Sequence, residues 1–177
     1  MVCAFGGRDY TRSFDKSLSL MVKPKRRVLQ LAHSPSPHTQ ILCRALAAGF
    51  REYADEDLEL NEVKALAATA DQVLDCAGLI LFCTENFGYM SGGMKDFFDR
   101  NFYALEDKCA GLPYLLCVRA GRDGTGAVRS VSAITQALGW RAANTPLVLK
   151  GDYRDDFEGL AREYAATFAA ALSVTIS

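Results

Sequence analysis

The sequence has few of the residues from which metal and disulfide sites are built. It contains two histidines, and its six cysteines form no C-x-x-C pair. Several of the cysteines lie inside apolar runs, where small buried thiols are common. We therefore predict no metal site and no disulfide framework, and we expect free, mostly buried thiols in a reducing cytoplasm. The cysteines are Cys3, Cys43, Cys76, Cys83, Cys109 and Cys117.

An excess of charge of one sign and long hydrophobic runs are also missing. The 20 basic and 21 acidic residues give a formal net charge of −1, so neither nucleic acid nor a membrane is indicated as a partner. No run reaches the roughly 18 apolar residues of a membrane span. Because 50% of the 177 residues are hydrophobic, the chain is long enough for one domain with one core.

Motifs of several nucleophilic enzymes are absent. A low-molecular-weight phosphatase needs Cys-x5-Arg, and none of Cys43, Cys83 and Cys117 has an arginine at that spacing. A receiver domain needs an aspartate at the end of its first strand, where His33 and Ser34 stand. The Gly-x-Ser-x-Gly nucleophile elbow is absent as well. We assign no protein residue to catalysis, which is expected where a cofactor performs the chemistry.

The first 26 residues differ in composition from the rest and show no periodic pattern. Their apolar segment, 17–22, is too short for a signal-peptide core, and the basic run that follows lies on the wrong side of it. A transit peptide stays an alternative, although two aspartates weaken it. We predict that residues 1–26 are a disordered or incidental leader, with Met21 a candidate start, and that residues 27–177 form a single domain.

Five apolar runs alternate with helical patterns along the rest of the chain. This alternation predicts a parallel sheet with helices on both faces. A three-layer, doubly wound α/β fold with five strands in the order 2-1-3-4-5 fits the length. The predicted strands are 27–33, 58–63, 77–83, 113–118 and 145–149, and the predicted helices are 39–53, 69–75, 90–103, 127–138 and a last one that carries Phe157 to Phe168.

The most informative stretch runs from Ala77 to Arg100. Its first seven residues are all apolar or glycine, as in a strand buried on both faces, and a loop with two aromatic residues and a glycine follows directly. Ligands of open α/β sheets bind beyond the carboxyl ends of the strands, so this loop suits a flat, π-rich ligand. Met90, Met94, Phe97 and Phe98 recur at helical spacing, which predicts a core or dimer-interface role for them.

Residues Thr84 to Arg100 resemble the flavin-ring loop of flavodoxin-like NAD(P)H-dependent FMN reductases and quinone reductases. Several of those families carry Thr-or-Ser-Pro-x-x-Phe-Gly-x-Met-x-x-x-Met-Lys-x-Phe-x-Asp-Arg here, and Glu85 stands in place of the proline. The resemblance implies a flavodoxin-like fold. It also implies that N–H groups beside Gly88 bond the N5 and O4 edge of the flavin, with Phe87 or Tyr89 against the ring. Loop packing or a subunit contact is the alternative role for these aromatics.

The loop Ala120-Gly-Arg-Asp-Gly-Thr-Gly126 is similar to one that lies along the pyrimidine edge of the flavin in the same families. Its glycines allow the backbone to approach a ligand closely. The overlapping Gly124-x-Gly126-x-x-Arg129 pattern is similar to a dinucleotide fingerprint. It lacks the third glycine and follows the fourth strand, so we discount it. Arg119 and Arg122 are candidates to attract a nicotinamide phosphate, or are ordinary surface arginines.

The loop after the first strand, 33–40, predicts an anion site. Ser36 suits the helix N-cap, and Pro37 falls at the first helical position, where its missing N–H costs nothing. The next three N–H groups are predicted to be free at the positive helix end, which suits a phosphate monoester. The loop resembles the FMN phosphate loop Ser/Thr-x-Ser/Thr-Gly-x-Thr, with Pro37 in place of the glycine. An ordinary capped helix that binds nothing is equally compatible with it.

The three loops together predict an FMN site. The predicted FMN-binding residues are Ser34, Ser36, His38, Thr39, Gln40, Thr84, Glu85, Asn86, Phe87, Gly88, Tyr89, Met90, Ala120, Gly121, Arg122, Asp123 and Gly124. The resemblance implies that hydride passes from NAD(P)H through bound FMN to a quinone, flavin or other small acceptor, in a homodimer or homotetramer.

Two alternative functions stay open. One is a flavodoxin-type electron carrier without NAD(P)H turnover of its own. Such carriers tend to be strongly acidic, so the net charge of −1 disfavours it. The other is a flavodoxin-fold module that has lost FMN, which the proline at position 37 keeps open.

Overall fold

The computed structural model describes residues 25–174 of the chain. Residues 1–24 and 175–177 lie outside the described residues. All but two residues of the predicted leader therefore fall outside the description, and the division into a leader and a domain stays a prediction.

The described residues form a mainly parallel sheet with helices on both faces. Its strands are β1 (Arg26–Ala32), β2 (Leu58–Lys64), β3 (Gly78–Asn86), β4 (Tyr89–Met90), β5 (Pro113–Ala120), β6 (Arg141–Ala142) and β7 (Leu147–Lys150). The parallel path is β2-β1-β3-β5-β6, β7 also pairs with β5, and β4 pairs antiparallel with β3. The predicted doubly wound α/β class is confirmed.

The strand order differs from the predicted order in two details. The fifth strand is divided, because β6 pairs with the start of β5 and β7 with its end. Residues 143–146 interrupt it, and they end in Pro146, which has no N–H for a sheet ladder. In addition, β3 runs three residues past its predicted end and folds back through a tight turn into β4.

The helices place the two halves of the core on opposite faces of the sheet. They are α1 (Pro37–Tyr53), α2 (Ala70–Leu74), α3 (Gly92–Leu105), α4 (Thr125–Ala137) and α5 (Asp156–Val174), with a 3-10 turn at Ala65–Ala67. Helices α1 and α5 cover one face, and α2, α3 and α4 cover the other. Met94, Phe97 and Phe98 of α3 are fully buried, which makes them core residues and not an interface. No helix within residues 25–174 is long and apolar enough to cross a membrane.

The described cysteines are free thiols, as predicted. Cys43, Cys83 and Cys117 are buried. Burial raises the pKa of Cys43 and of Cys83 to about 12 and that of the half-buried Cys76 to about 11, because a thiolate would lose its hydration. These three thiols therefore stay protonated at neutral pH and are poor nucleophiles. Cys3 lies outside the described residues.

Helices α1 and α5 touch at Gly49. A Cβ atom built on this buried glycine would overlap the backbone carbonyl of Arg162, so no larger residue fits without moving one helix. The position is a close helix–helix crossing, where the identity of the small residue sets the distance between the backbones.

We predict that Gly49→Ala lowers the free energy of unfolding by about 3 kcal/mol, because the added methyl forces α1 and α5 apart. Urea denaturation measures the effect. Gly159→Ala on α5 is the matched control, since nothing lies within 4 Å of a Cβ built there. It should raise stability by about 0.5–1 kcal/mol through better helix propensity. Equal stability of the Gly49 variant and the wild type would contradict the close contact.

Candidate functional site

The carboxyl ends of β1, β3 and β5 lie side by side at one edge of the sheet. The register pairs Ala32 with Phe82 and Thr84 with Arg119. The three loops singled out from the sequence therefore leave the same edge, where open α/β sheets bind ligands. They line two separate cavities, however, in place of the single crevice that the sequence predicts.

The larger cavity, which we call the β3–β5 cavity, has a volume of about 750 Å³. It lies between the loop after β3 and the loop after β5. Six predicted site residues line it: Glu85, Phe87, Gly88, Gly121, Arg122 and Asp123. Three further lining residues were not predicted: Thr125, Gly126 and Arg129.

A smaller cavity of about 390 Å³ lies between the ends of β1 and β2. Of the predicted residues, only Ser34 and Gln40 line it, beside His33 and Lys64. The loop after β1 therefore contributes no residue to the lining of the β3–β5 cavity. The predicted residues that line neither of these two cavities are Ser36, His38, Thr39, Thr84, Asn86, Tyr89, Met90, Ala120 and Gly124.

The imidazole of His33 fills the point at which the strand order reverses. The backbone N–H of His33 donates to the carbonyl oxygen of Phe82 on β3 at 2.9 Å. Its ring lies where the Cβ of a larger residue at Gly93 would be, in the first turn of α3. The ring Nδ1 is buried and has no hydrogen-bond partner among the described residues. The His33 side chain therefore packs between the end of β1 and the first turn of α3, a role that its place at the end of a predicted strand did not reveal.

The first turn of α1 closes on itself. Ser36 is the N-cap and Pro37 the first helical residue, both as predicted. The Thr39 N–H donates to Ser36 Oγ at 3.3 Å, the Ser36 N–H donates to Thr39 Oγ1 at 2.9 Å, and the Gln40 N–H donates to the Ser36 carbonyl at 3.0 Å. The prediction that these helix-end N–H groups are free is therefore wrong for Thr39 and Gln40, because a reciprocal capping box uses the Thr39 N–H and an ordinary helix hydrogen bond uses the Gln40 N–H. Among the three, His38 keeps the N–H without a partner in the described residues.

Two residues that the sequence suggests as ligand contacts, His38 and Arg119, contact other parts of the protein. The His38 ring stacks on Tyr153, with ring centroids 4.2 Å apart and an interplanar angle of 12°. The Arg119 guanidinium donates to three backbone carbonyls, including that of Leu149 at 3.1 Å, and lies 5.5 Å from the centre of the Phe157 ring. Arg119 therefore ties the end of β5 to the segment after β7, and it does not line the β3–β5 cavity.

The hairpin of β3 and β4 displays an aromatic side chain. Its two-residue turn is Phe87–Gly88, with φ values of +53° and +73°. Positive φ at both residues is typical of a type I′ turn, a common two-residue hairpin connection, and it is unfavourable for a phenylalanine. The Phe87 side chain is fully exposed, at 109% of its reference area. Loop packing therefore does not explain Phe87, and contact with a ligand or a second subunit remains.

Glu85 fastens the hairpin to the N-terminus of α4. Its carboxylate accepts hydrogen bonds from the N–H groups of Gly124 at 3.2 Å, Gly126 at 3.0 Å and Ala127 at 3.4 Å. The N-cap of α4 is Gly124, which has no side chain to serve these donors. The carboxylate also lies at the positive end of the helix dipole. Glu85 thus occupies the anion position that the helix end would otherwise offer to a ligand.

Two further contacts hold the hairpin on α4. The Met90 N–H donates to Ser130 Oγ at 3.1 Å. The backbone of Gly88 lies so close to Gly126 that a Cβ at position 126 would overlap the Gly88 carbonyl. The glycine at 126 is therefore required for the hairpin to dock, and Phe87 is carried on a rigid support.

Arg129 is the main cavity residue that sequence reasoning missed. It belongs to the Gly124-x-Gly126-x-x-Arg129 pattern that we discounted as a dinucleotide fingerprint. A second signal was available, because Arg129 follows Thr125 by four residues and so lies on the same helix face as the first turn of α4. Helical periodicity applied to the glycine-rich loop would have placed it beside the site.

The lining of the β3–β5 cavity combines backbone, aromatic and charged groups. Its walls are glycine backbone, one aromatic ring, two arginines and two carboxylates. Within residues 25–174, no group of three or more histidine, cysteine or acidic side chains is placed to hold a metal ion. The arrangement offers positioning and charge to a bound molecule.

Comparison with known proteins identifies the fold. No protein-family model matches the chain, and no curated protein matches it in sequence. Solved structures match it over most of its length. A flavodoxin from the domain Archaea has 13% sequence identity and a TM-score of 0.71, and the match covers 83% of this chain and 99% of that one. At these identities the likeness shows a flavodoxin-like fold.

Two further solved structures resemble the chain over a similar share of its length. An NADH:FMN oxidoreductase in its apo form has 15% identity and a TM-score of 0.64, with 86% of this chain and 92% of that chain covered. A flavodoxin, WrbA-like protein from Agrobacterium tumefaciens has 12% identity and a TM-score of 0.60, with 85% and 98% covered.

We predict that Glu85→Gln lowers the free energy of unfolding by about 1–3 kcal/mol, because the charged acceptor of three N–H donors becomes a neutral amide. Glu59→Gln, on the exposed side of β2, is the matched control, and it should change stability by less than about 0.5 kcal/mol. Both are measured by urea denaturation. If the two variants unfold at the same urea concentration, Glu85 does not fasten the hairpin to α4.

Proposed function

We propose that this protein is an FMN-dependent oxidoreductase that passes electrons from NAD(P)H through FMN to a quinone, flavin or other small acceptor. The observation that carries the proposal is the exposed Phe87 on a rigid turn, facing the glycine loop after β5 across a cavity of about 750 Å³. The flavodoxin-like fold supports it, and so do neighbours that are named as a flavodoxin and as an NADH:FMN oxidoreductase.

The ring end of the site fits a flavin. The cavity volume lies in the range of small-molecule pockets, about 300–1,000 Å³. Phe87 offers a free aromatic face, for which offset stacking on another ring is favourable. Gly88 and Gly121 line the same cavity and let backbone groups approach a planar ligand without a side chain between them.

The first turn of α1, where the sequence predicts the FMN phosphate, suits a phosphate group only in part. The hydroxyl groups of Ser34, Ser36 and Thr39 lie at the first turn of α1, and the His38 N–H is free there. The capping box already uses the Thr39 N–H, and the Gln40 N–H donates to the Ser36 carbonyl. We propose that the FMN phosphate lies here and that it contributes less to binding than a fully open helix end would allow.

FMN, when bound, supplies hydride acceptance and return, for which this chain has no side chain of its own. The chain binds and orients it. Phe87 would lie against one face of the ring, and the hairpin contacts to α4 position the turn that carries it. Glu85 keeps a negative charge at the helix end, so backbone dipoles there are already compensated. Arg122 and Arg129 supply the positive charge of the cavity wall.

A flavodoxin-fold module that has lost FMN is the second candidate. The closed first turn of α1 and the occupied helix end of α4 favour it, because both remove N–H donors from a ligand. An electron carrier without NAD(P)H turnover is the third. The cytoplasmic location and the homodimeric or homotetrameric state remain predictions.

An absorption spectrum of the purified protein with added FMN, followed by NAD(P)H, tests the proposal. We expect a perturbed flavin spectrum that bleaches with NADH or NADPH and recovers when a quinone is added. Bound flavin that NAD(P)H does not reduce would identify an electron carrier. A spectrum of unperturbed free FMN, even at excess protein, would identify the module that has lost FMN.

We predict that Phe87→Ala weakens flavin binding about three- to tenfold, because an aromatic contact with the ring is lost. Its free energy of unfolding should stay within about 0.5 kcal/mol of the wild type, since the side chain is exposed. Flavin fluorescence titration measures the affinity. Tyr103→Ala is the control, as Tyr103 is 84% exposed and lies on α3 away from the cavity. An unchanged flavin affinity in Phe87→Ala would remove the main argument for this site.

A further inference from the structure

We propose that Arg122 and Arg129 bind the phosphates of the pyridine dinucleotide that supplies the electrons, with its adenine end in the groove beside α4. The inference rests on the proposed function, because the nicotinamide end must reach a flavin ring in the β3–β5 cavity. It places the dinucleotide at the cavity wall that carries Arg122 and Arg129. Arg129 thereby takes the phosphate-binding role that the sequence suggested for Arg119.

The two arginines are exposed, and neither has a hydrogen bond or ion pair among the described residues. Five other arginines form ion pairs with carboxylates, whereas Arg44 and Arg141 are exposed and unpaired within the described residues but line no part of this cavity. Both unpaired guanidinium groups line the same cavity. Guanidinium groups suit phosphate, because their planar N–H donors match its oxygens.

Arg129 has no charged partner on its own helix. It lies in the second turn of α4, and helix α4 contains no acidic residue, so no carboxylate stands one turn before or after it. Its guanidinium is therefore available to an anionic ligand.

The two carboxylates of the cavity do not neutralise the arginines directly. Glu85 accepts N–H groups at the end of α4. Asp123 accepts the Thr125 N–H at 3.0 Å, and that bond, with a smaller contribution from Lys150, lowers the pKa of Asp123. Both acids are therefore turned to the helix end, and the arginines remain for a ligand anion.

A groove of about 460 Å³ continues from the β3–β5 cavity along α4. The two share Asp123, Thr125 and Arg129, so Arg129 lies at their junction. The groove has an apolar lining of Val128, Pro146 and Val148. Pro146 lies in the break between β6 and β7, directly before β7, and from this position it lines the groove.

The order of these features matches a dinucleotide. A ring cavity, a pair of guanidinium groups and an apolar groove follow one another, as nicotinamide, pyrophosphate and adenine do in the ligand. FMN has one ring system and a single phosphate, so it would leave the groove empty. The flavin phosphate is instead assigned to the first turn of α1.

Titration calorimetry with NAD⁺ and with NADP⁺ on the FMN-loaded protein tests the inference. We expect Arg129→Ala to weaken binding of the dinucleotide about tenfold and the double Ala variant of Arg122 and Arg129 about a hundredfold, with a weaker salt dependence. Arg141→Ala is the matched control, because Arg141 is exposed on β6 and pairs with Pro113 at the other end of β5. It should bind as the wild type does.

Titrations with FMN and riboflavin separate this inference from the proposed function. Unchanged affinity for both flavins in the double variant supports the dinucleotide assignment. Weaker binding of FMN with unchanged riboflavin would mean that the arginines hold the flavin phosphate, which overturns the inference and leaves the proposed function standing. Unchanged dinucleotide affinity in the double variant, or no dinucleotide binding by the wild type, also overturns it. Failure of the wild type to bind any flavin instead overturns the proposed function.

Discussion

The bond between the Glu85 carboxylate and the N-terminus of α4 is the interaction on which the rest of the site depends. It joins the end of β3 to a helix about forty residues later in the chain, through three N–H donors. Hydrogen bonds to a charged acceptor are the stronger kind, and the helix dipole adds to them. The bond fixes the β3–β4 hairpin, and the hairpin turn carries Phe87 at the edge of the cavity. A negative charge at this point also decides which wall of the cavity can receive an anion.

Both helix ends that flank the candidate site are closed by the protein itself. The capping box of Ser36 and Thr39 closes α1, and Glu85 closes α4. Backbone N–H groups at helix ends are the usual phosphate donors of α/β folds. Here the available positive charge comes from arginine side chains on the cavity wall. Exposed side-chain charges are screened by salt more than buried dipoles are, so binding of an anionic ligand at this site depends on ionic strength.

The fold was largely predictable from the sequence, and the site only in part. Buried strands such as 77–83 and the helix that begins at Pro37 have strong local patterns, and both lie where they were predicted. Strands of two residues, such as β4 and β6, are too short to show a period. The capping box was not predicted, because Thr39 stands at the third helical position in place of the usual Glu or Gln. The partners of Glu85 lie too far along the chain for any local pattern to reveal them.

Glu85 stands where the reductase families that this segment resembles carry a proline. A proline there would have no carboxylate, and the N–H groups at the start of α4 would be left for an oxygen atom of a ligand. With Glu85 those donors are used, and an added anion would meet a negative charge at the same place. A ligand that carries phosphates must then place them on another part of the wall. Arg122 and Arg129 are the unpaired cations that line this cavity, so the glutamate at the helix end and the arginines beside it form one consistent arrangement.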